Sequence, residues 1–229
     1  MNSQAKRRLL VVEAHSDDSA ISASGFLERA RNEFEIHFLL VTVSDMNLHH
    51  CGKLSRDTRL SEYLRYVEHF GATWHRDSEM PIDADALLDT VPKRRVVTAI
   101  ERVISDVEPS VMIVQGPSFH HDHTIVYEAT VAATRPTARF CPREIYVMEN
   151  PTYVHSIGPA TDFRPDFYVS LSEEQLSAKL ELFGRCFPSQ LREGSNYLSL
   201  EGIRAWSRYR GIEARCRYAE AFRTYQRVI

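Results

Sequence analysis

The 229-residue chain has few cysteines, few glycines and no large excess of either charge. Its four cysteines, Cys51, Cys141, Cys186 and Cys216, lie far apart with no Cys-x-x-Cys pair. That argues against a zinc knuckle or a thioredoxin-like redox motif and fits a reducing, cytoplasmic compartment. Only nine glycines are present, and the first strand-to-helix turn lacks G-x-G-x-x-G. Asp17 and Asp18 stand in that turn instead, where they would repel a pyrophosphate. A P-loop and a G-x-S-x-G nucleophile elbow are missing as well. With 28 basic and 31 acidic side chains, a formal charge of -3, the chain has no general pull toward nucleic acid or anionic membrane. Lys6-Arg7-Arg8 precedes an apolar run that stops at Glu13, too short for a signal peptide or a membrane span. A hydrophobic share of 43% suffices for a sizeable core. No repeat, linker or low-complexity tract divides it, so one domain over residues 1–229 is expected.

What is present is a regular alternation. Leu9-Leu10-Val11-Val12 and Val111-Met112-Ile113-Val114 are continuous apolar runs, the pattern of strands buried on both faces. Further strands are expected over 35–43, near Thr73, over 144–148 and near 167–171. Helices are expected over about 18–31, over about 56–70 with Gly71 as a cap, around Val96 to Val107, after His123, and around Leu176 to Phe187. Residues 200–229 read as polar helix. The expected fold is α/β, a Rossmann-like, mostly parallel sheet with helices on both faces, whose ligand crevice lies beyond the carboxyl ends of the strands.

Both apolar runs are followed by side chains that bind metals: Glu13-Ala14-His15-Ser16-Asp17-Asp18 after the first and His120-His121-Asp122-His123 after the second. If the two strands are neighbours, the loops meet in one crevice. Two histidines and one aspartate would supply three ligands for a catalytic zinc with a position left for water. A remaining carboxylate could then take a proton from that water, and a remaining histidine could face an oxyanion or protonate a leaving group.

These residues resemble a known family. Ala14-His15-Ser16-Asp17-Asp18 is similar to the A-H-P-D-D-E motif, and His120-His121-Asp122-His123 to the H-P-D-H motif, of the PIG-L (LmbE-like) zinc-dependent de-N-acetylases. Arg59-Leu60-Ser61-Glu62 with Gly71, Lys179 with Ser189-Gln190, and Tyr218-Ala219-Glu220-Ala221-Phe222 resemble further family segments. The resemblance implies that His15, Asp18 and His123 bind Zn2+ and that Asp17 is the general base. It implies that His120 is the electrostatic partner or general acid, oriented by Asp122, and that Arg59, more loosely Asp45, and Glu220 lie near the substrate. His49, His50 and His155 have no motif behind them; the first two could act as lid contacts.

The chain also departs from the pattern. Ser16 replaces a proline, Ser19 replaces a glutamate and so removes a helix-start carboxylate, and Ser118 offers a neutral hydroxyl where relatives often carry an acidic residue or a tyrosine. The expected partner is a small N-acetylated sugar or glycoconjugate, and a homo-oligomer is open. The expected reaction is zinc-dependent removal of an N-acetyl group. Two alternatives stand beside it: the same chemistry on a non-sugar amide, such as a thiol conjugate or natural-product intermediate, and a non-catalytic sugar-binding protein on the same scaffold.

Overall fold

The two apolar runs are neighbours in the middle of one sheet. In the computed structural model, which describes residues 6–151 and 163–229, β1 (Arg7–Glu13) pairs in parallel with β6 (Val111–Gln115), Val12 opposite Val114. β2 (Phe34–Leu40) flanks β1 on its other side and β5 (Thr73–His75) forms that edge. β7 (Glu144–Met148) extends the parallel set beyond β6. β9 (Tyr218–Arg227) then runs antiparallel between β7 and β8 (Phe167–Leu171), giving the order β5-β2-β1-β6-β7-β9-β8. A small hairpin of β3 (Met46–Leu48) and β4 (Gly52–Leu54) stands apart from this sheet.

Period-two alternation explains why the central strands read as unbroken apolar runs. Leu9, Val11, Ile36, Phe38 and Ile113 face one core, packed against α1 (Asp18–Ser22), α2 (Ser24–Ala30), α3 (Arg56–His69) and α6 (Glu173–Cys186). Leu10, Val12, Leu39, Met112 and Val114 face the other, covered by α4 (Lys93–Val107) and α5 (His121–Ala133). Both faces are dry, so every position of β1 from Leu9 to Val12 is fully buried. Gly71 follows α3 with φ +60°, the left-handed stop expected of it. Among the described residues no helix is long and apolar enough to cross a membrane.

Two expectations are corrected. Residues 200–229 are not one polar helix: α7 (Leu200–Glu213) ends at a tight turn and β9 follows as an interior strand. Tyr218 and Phe222 join the core with α1, α2, α3 and α6, while Ala219 and Ala221 are buried between them. Alanine and glutamate favour helix locally, and burial between two strands overrides that preference. The turn needs Gly211, because a Cβ there would stand 2.6 Å from the Arg217 carbonyl oxygen.

The helix expected over 18–31 is broken at Ala23 (φ −138°, ψ 2°) into α1 and α2. Glu220, reaching from β9, accepts the N–H groups of Gly25 at 2.8 Å and Phe26 at 2.7 Å, so the second helix starts on a carboxylate 194 residues away in sequence. Lys179 of α6 donates to the same carboxylate at 2.6 Å, with both side chains buried. Glu220→Ala leaves the Lys179 ammonium buried and unpaired and two helix-start donors without an acceptor. It is expected to lower the unfolding free energy in urea by about 3–5 kcal/mol. A loss as small as the ~0–1 kcal/mol of a surface ion pair would show that this strut does not secure α2.

Candidate metal centre and active-site crevice

β2 and β5 extend the sheet to one side of β1 and β6 and β7 to the other, so the strand order reverses between β1 and β6. Their carboxyl ends therefore splay open a crevice, and His15 enters it two residues beyond β1. His120 is the N-cap of α5 and His123 lies in its first turn, so the helix begins inside the motif, earlier than expected, and turns both rings toward β1. Gln115, the last residue of β6, fastens the two loops: its Oε1 accepts the Ala14 N–H at 3.1 Å and its Nε2 donates to the His123 carbonyl at 3.3 Å.

His15, Asp18 and His123 converge and are all buried. His15 Nδ1 lies 3.0 Å from His123 Nε2, and Asp18 approaches His123 Nε2 at 3.3 Å and His15 Nδ1 at 4.0 Å. Ligands about 2.0–2.1 Å from a tetrahedral ion stand about 3.4 Å apart, so the three donors fit one divalent cation of zinc's size. Each histidine is also fixed through its other nitrogen. His15 Nε2 faces Asp122 Oδ2 at 3.1 Å and Asp85 Oδ1 at 3.5 Å, and His123 Nδ1 bonds the Ser118 hydroxyl at 2.8 Å. Such partners set the ring orientation that a ligand needs.

The field of the crevice favours a cation. Burial alone would push the His15 imidazole down, but the bond to Asp122 and the charges of Asp18 and Asp85 raise it to about 9. Burial would raise Asp18, yet His123 and His15 hold it at about 2. Burial and the adjacent Asp18 carboxylate raise Asp17, against the opposing pull of Arg59 and His15. His120 sits edge-on to His15, ring centroids 4.5 Å apart, and stacks on His123 at 5.2 Å. Burial and these two neighbours push it down to about 4, so it is a neutral imidazole at pH 7.

Several assigned roles move. Asp122 lies 4.0 Å from His120 Nδ1 but 3.1 Å from His15 Nε2, so it orients the metal-facing ring rather than His120. Its position is set by the N–H groups of Ala86 at 2.6 Å and Leu88 at 3.1 Å. Ser118 serves His123 and the His120 backbone N–H rather than the His120 ring. Arg59 is buried and paired with Asp85 and the Ser44 carbonyl, while Glu62 accepts the N–H and hydroxyl of Ser189 instead. Glu220, expected near the substrate, has its carboxylate taken up by Lys179 and the first turn of α2, where it acts as a structural strut. Asp45 is exposed and accepts the first N–H of α3, from Arg56, at 2.8 Å. His50 at the hairpin tip reaches the Ser189 carbonyl at 2.8 Å, and His155 lies outside the described residues.

The sequence reading missed Asp85 and Asn150. Asn150 lies two residues beyond β7, just as His15 follows β1, and its Nδ2 is 3.4 Å from Asp18 Oδ1 and from His123 Nδ1. The strand-end rule would have found it. Asp85 lies in the long connection between β5 and α4, where no periodicity points to it. The carboxylate missing at Ser19 also has a counterpart: buried Glu13 accepts the Ser19 N–H at 2.8 Å, with burial raising its carboxyl to about 8.

Donors spaced so that they could hold one divalent ion, at the switch point of an open sheet, define an α/β protein with a candidate metal crevice. The family model of the GlcNAc-PI de-N-acetylases, PIG-L, matches residues 10–134, more than half of the chain, and the chain belongs to that family. A curated relative, the 1D-myo-inositol 2-acetamido-2-deoxy-alpha-D-glucopyranoside deacetylase of Kribbella flavida, is 26% identical over 233 residues, 86% of this chain and 70% of the relative. The fold is shared with the N,N'-diacetylchitobiose deacetylase from Pyrococcus horikoshii at a TM-score of 0.70 and 18% identity, over 95% of this chain and 83% of that one. It is shared equally with the 4-carboxy-2-hydroxymuconate hydratase from Pseudomonas putida KT2440, at a TM-score of 0.69 and 18% identity, over 97% of this chain and 98% of that one. Those two proteins are named for different activities, so the shared fold by itself does not assign a reaction.

Ser118→Ala removes the bond that aims His123. Competition with a chromogenic chelator should show metal affinity reduced by roughly 10–100-fold, whereas an unchanged affinity would mean that the hydroxyl does not set the ring.

Proposed function

We propose that the protein is a zinc-dependent N-deacetylase that uses water to remove the acetyl group from an amino sugar or an amino-sugar conjugate. The observation that carries this reading is the spacing of His15, Asp18 and His123 for one ion, with a further carboxylate and a further imidazole at its side. A zinc ion held there supplies a Lewis acid for the acyl oxygen and lowers the pKa of water. Asp17, whose carboxyl is raised by burial and by Asp18, is the group that accepts the proton of the attacking water and returns it to the departing amine. Neutral His120 donates a hydrogen bond to the oxygen that becomes negative. Asp122 keeps His15 in the tautomer that leaves Nδ1 free to ligate. Arg59 acts through Asp17 and Asp85, and the exposed Asp45 offers a carboxylate to a sugar hydroxyl.

One observation favours the second reading, the same chemistry on a non-sugar amide such as a natural-product intermediate. Phe119, next to His120, is 46% exposed, and Leu87, next to Ala86, is 54% exposed. The two loops are joined by the bond between His121 Nε2 and the Ala86 carbonyl at 3.0 Å. A substrate with an apolar body or acyl chain would cover both side chains.

The test is release of free amine from N-acetylglucosaminides and from apolar non-sugar amides by the zinc-loaded enzyme. Asp17→Asn is expected to lower kcat by about 10²–10⁴-fold with little change in zinc content. Full activity in that variant would remove Asp17 from the chemistry, and sugar binding with no turnover would return the reading to a binding protein.

A further inference from the structure

We propose that Asp85, Asp122, His120 and the Nε2 edge of His15 form a second divalent-cation site, which shares the His15 imidazole with the first. One donor atom from each of the four lies within 4.8 Å of the others. Asp122 Oδ2 is 3.1 Å and Asp85 Oδ1 is 3.5 Å from His15 Nε2, and His120 Nδ1 is 4.0 Å from Asp122 Oδ2. The first site uses the opposite nitrogen of the same ring, Nδ1.

The independent sign of a ligand is the Asp85 carboxylate. Its side chain is 3% exposed, and its Oδ2 is paired with Arg59. Its Oδ1, facing the His15 ring, is buried with no hydrogen-bond partner. A desolvated carboxylate oxygen whose nearest donor, His15 Nε2, stands at 3.5 Å and makes no hydrogen bond is costly, and a cation is the partner that best relieves it. Charge counting agrees. Asp17, Asp18, Asp85 and Asp122 place four carboxylates around the crevice, against one guanidinium, Arg59, and the two charges of an ion in the first site. One negative charge remains uncompensated. The donors are also held ready, because Asp122 is fixed by the Ala86 and Leu88 N–H groups and Ala86 adopts a left-handed φ of +60° to present its own.

The incoming ion takes the place of the proton on His15 Nε2. That proton would leave to solvent, and Asp85 Oδ1, Asp122 Oδ2 and His120 would hold the ion together with His15 Nε2. The ion is a borderline cation with a taste for imidazole and carboxylate, and zinc fits that description. Occupation withdraws His120 from the crevice, so zinc in excess inhibits; only this consequence rests on the deacetylase reading.

Calorimetric titration of the metal-free protein with zinc tests the site without any substrate. Two equivalents are expected, the second weaker by on the order of 100-fold because two divalent charges repel across one ring. Asp85→Asn should abolish the second equivalent and keep the first. Because Asp85 also pairs with Arg59, His120→Ala is the companion variant, which leaves that pair intact and should lose the second equivalent alike. A single equivalent in the unaltered protein up to millimolar zinc, or a second one undiminished in His120→Ala, overturns the proposal. Stoichiometry is read whether or not any amide is hydrolysed, so failure of the deacetylase reading and failure of the second site are separate outcomes.

Discussion

The parallel pairing of β1 with β6 is the constraint on which the crevice depends. With Leu9 opposite Val111 and Val12 opposite Val114, both strands end level, and the segments that follow leave the sheet side by side. A register shift of one residue would invert every side chain of β1 between its two cores, so the dry packing on both faces fixes the register. The arrangement of His15, Asp18 and His123 thus inherits its precision from aliphatic packing of the strands that carry their loops. Gln115 then sets the two loops to each other by bonding one residue of each.

Upon that frame the chain assembles an environment that is costly without a cation. Buried carboxylates normally shed their charge or find a partner. Here Asp18 and Asp122 stay ionised because histidines and backbone N–H groups surround them. The same carboxylates raise the proton affinity of His15, so protons and metal ions compete for one electrostatic demand. His120, with two imidazoles against it and less help from carboxylates, moves the opposite way. Two imidazoles of the same intrinsic acidity, His15 and His120, are thereby driven apart into different protonation states, which is the condition for dividing roles among them.

Much of this was legible from the sequence where a local signal coincided with a tertiary one. The apolar runs at Leu9 and Val111 announced central strands, and the clusters just after them announced a shared crevice, because strand ends and ligand sites coincide in open α/β sheets. The family motifs singled out His15, Asp18 and His123, and the structure gathers these three at one point. The errors came where a distant partner decided the outcome. Nothing between 18 and 31 shows that Glu220 will break the helix at Ala23. Nothing in Tyr-Ala-Glu-Ala-Phe shows that two strands will flank it. Asp122 was assigned to His120, its near neighbour in sequence, but the ring it bonds belongs to His15, 107 positions away. Arg59, expected near the substrate, is buried and paired with Asp85 across a loop.

The place of β9 in the sheet also bears on how the chain is made. It is the ninth strand in sequence, yet it fills the gap between β7 and β8, which have no other link to one another in the sheet. During synthesis β8 must wait, edge exposed, until more than forty residues after it have left the ribosome, and the first turn of α2 waits far longer, since Glu220 lies 194 residues beyond Phe26. Long-range closure of this kind slows folding and exposes unfinished edges to other chains. Strand order alone thus lets β1 and β6, and the His15 and His123 loops beyond them, come together before the opposite edge of the sheet can be completed.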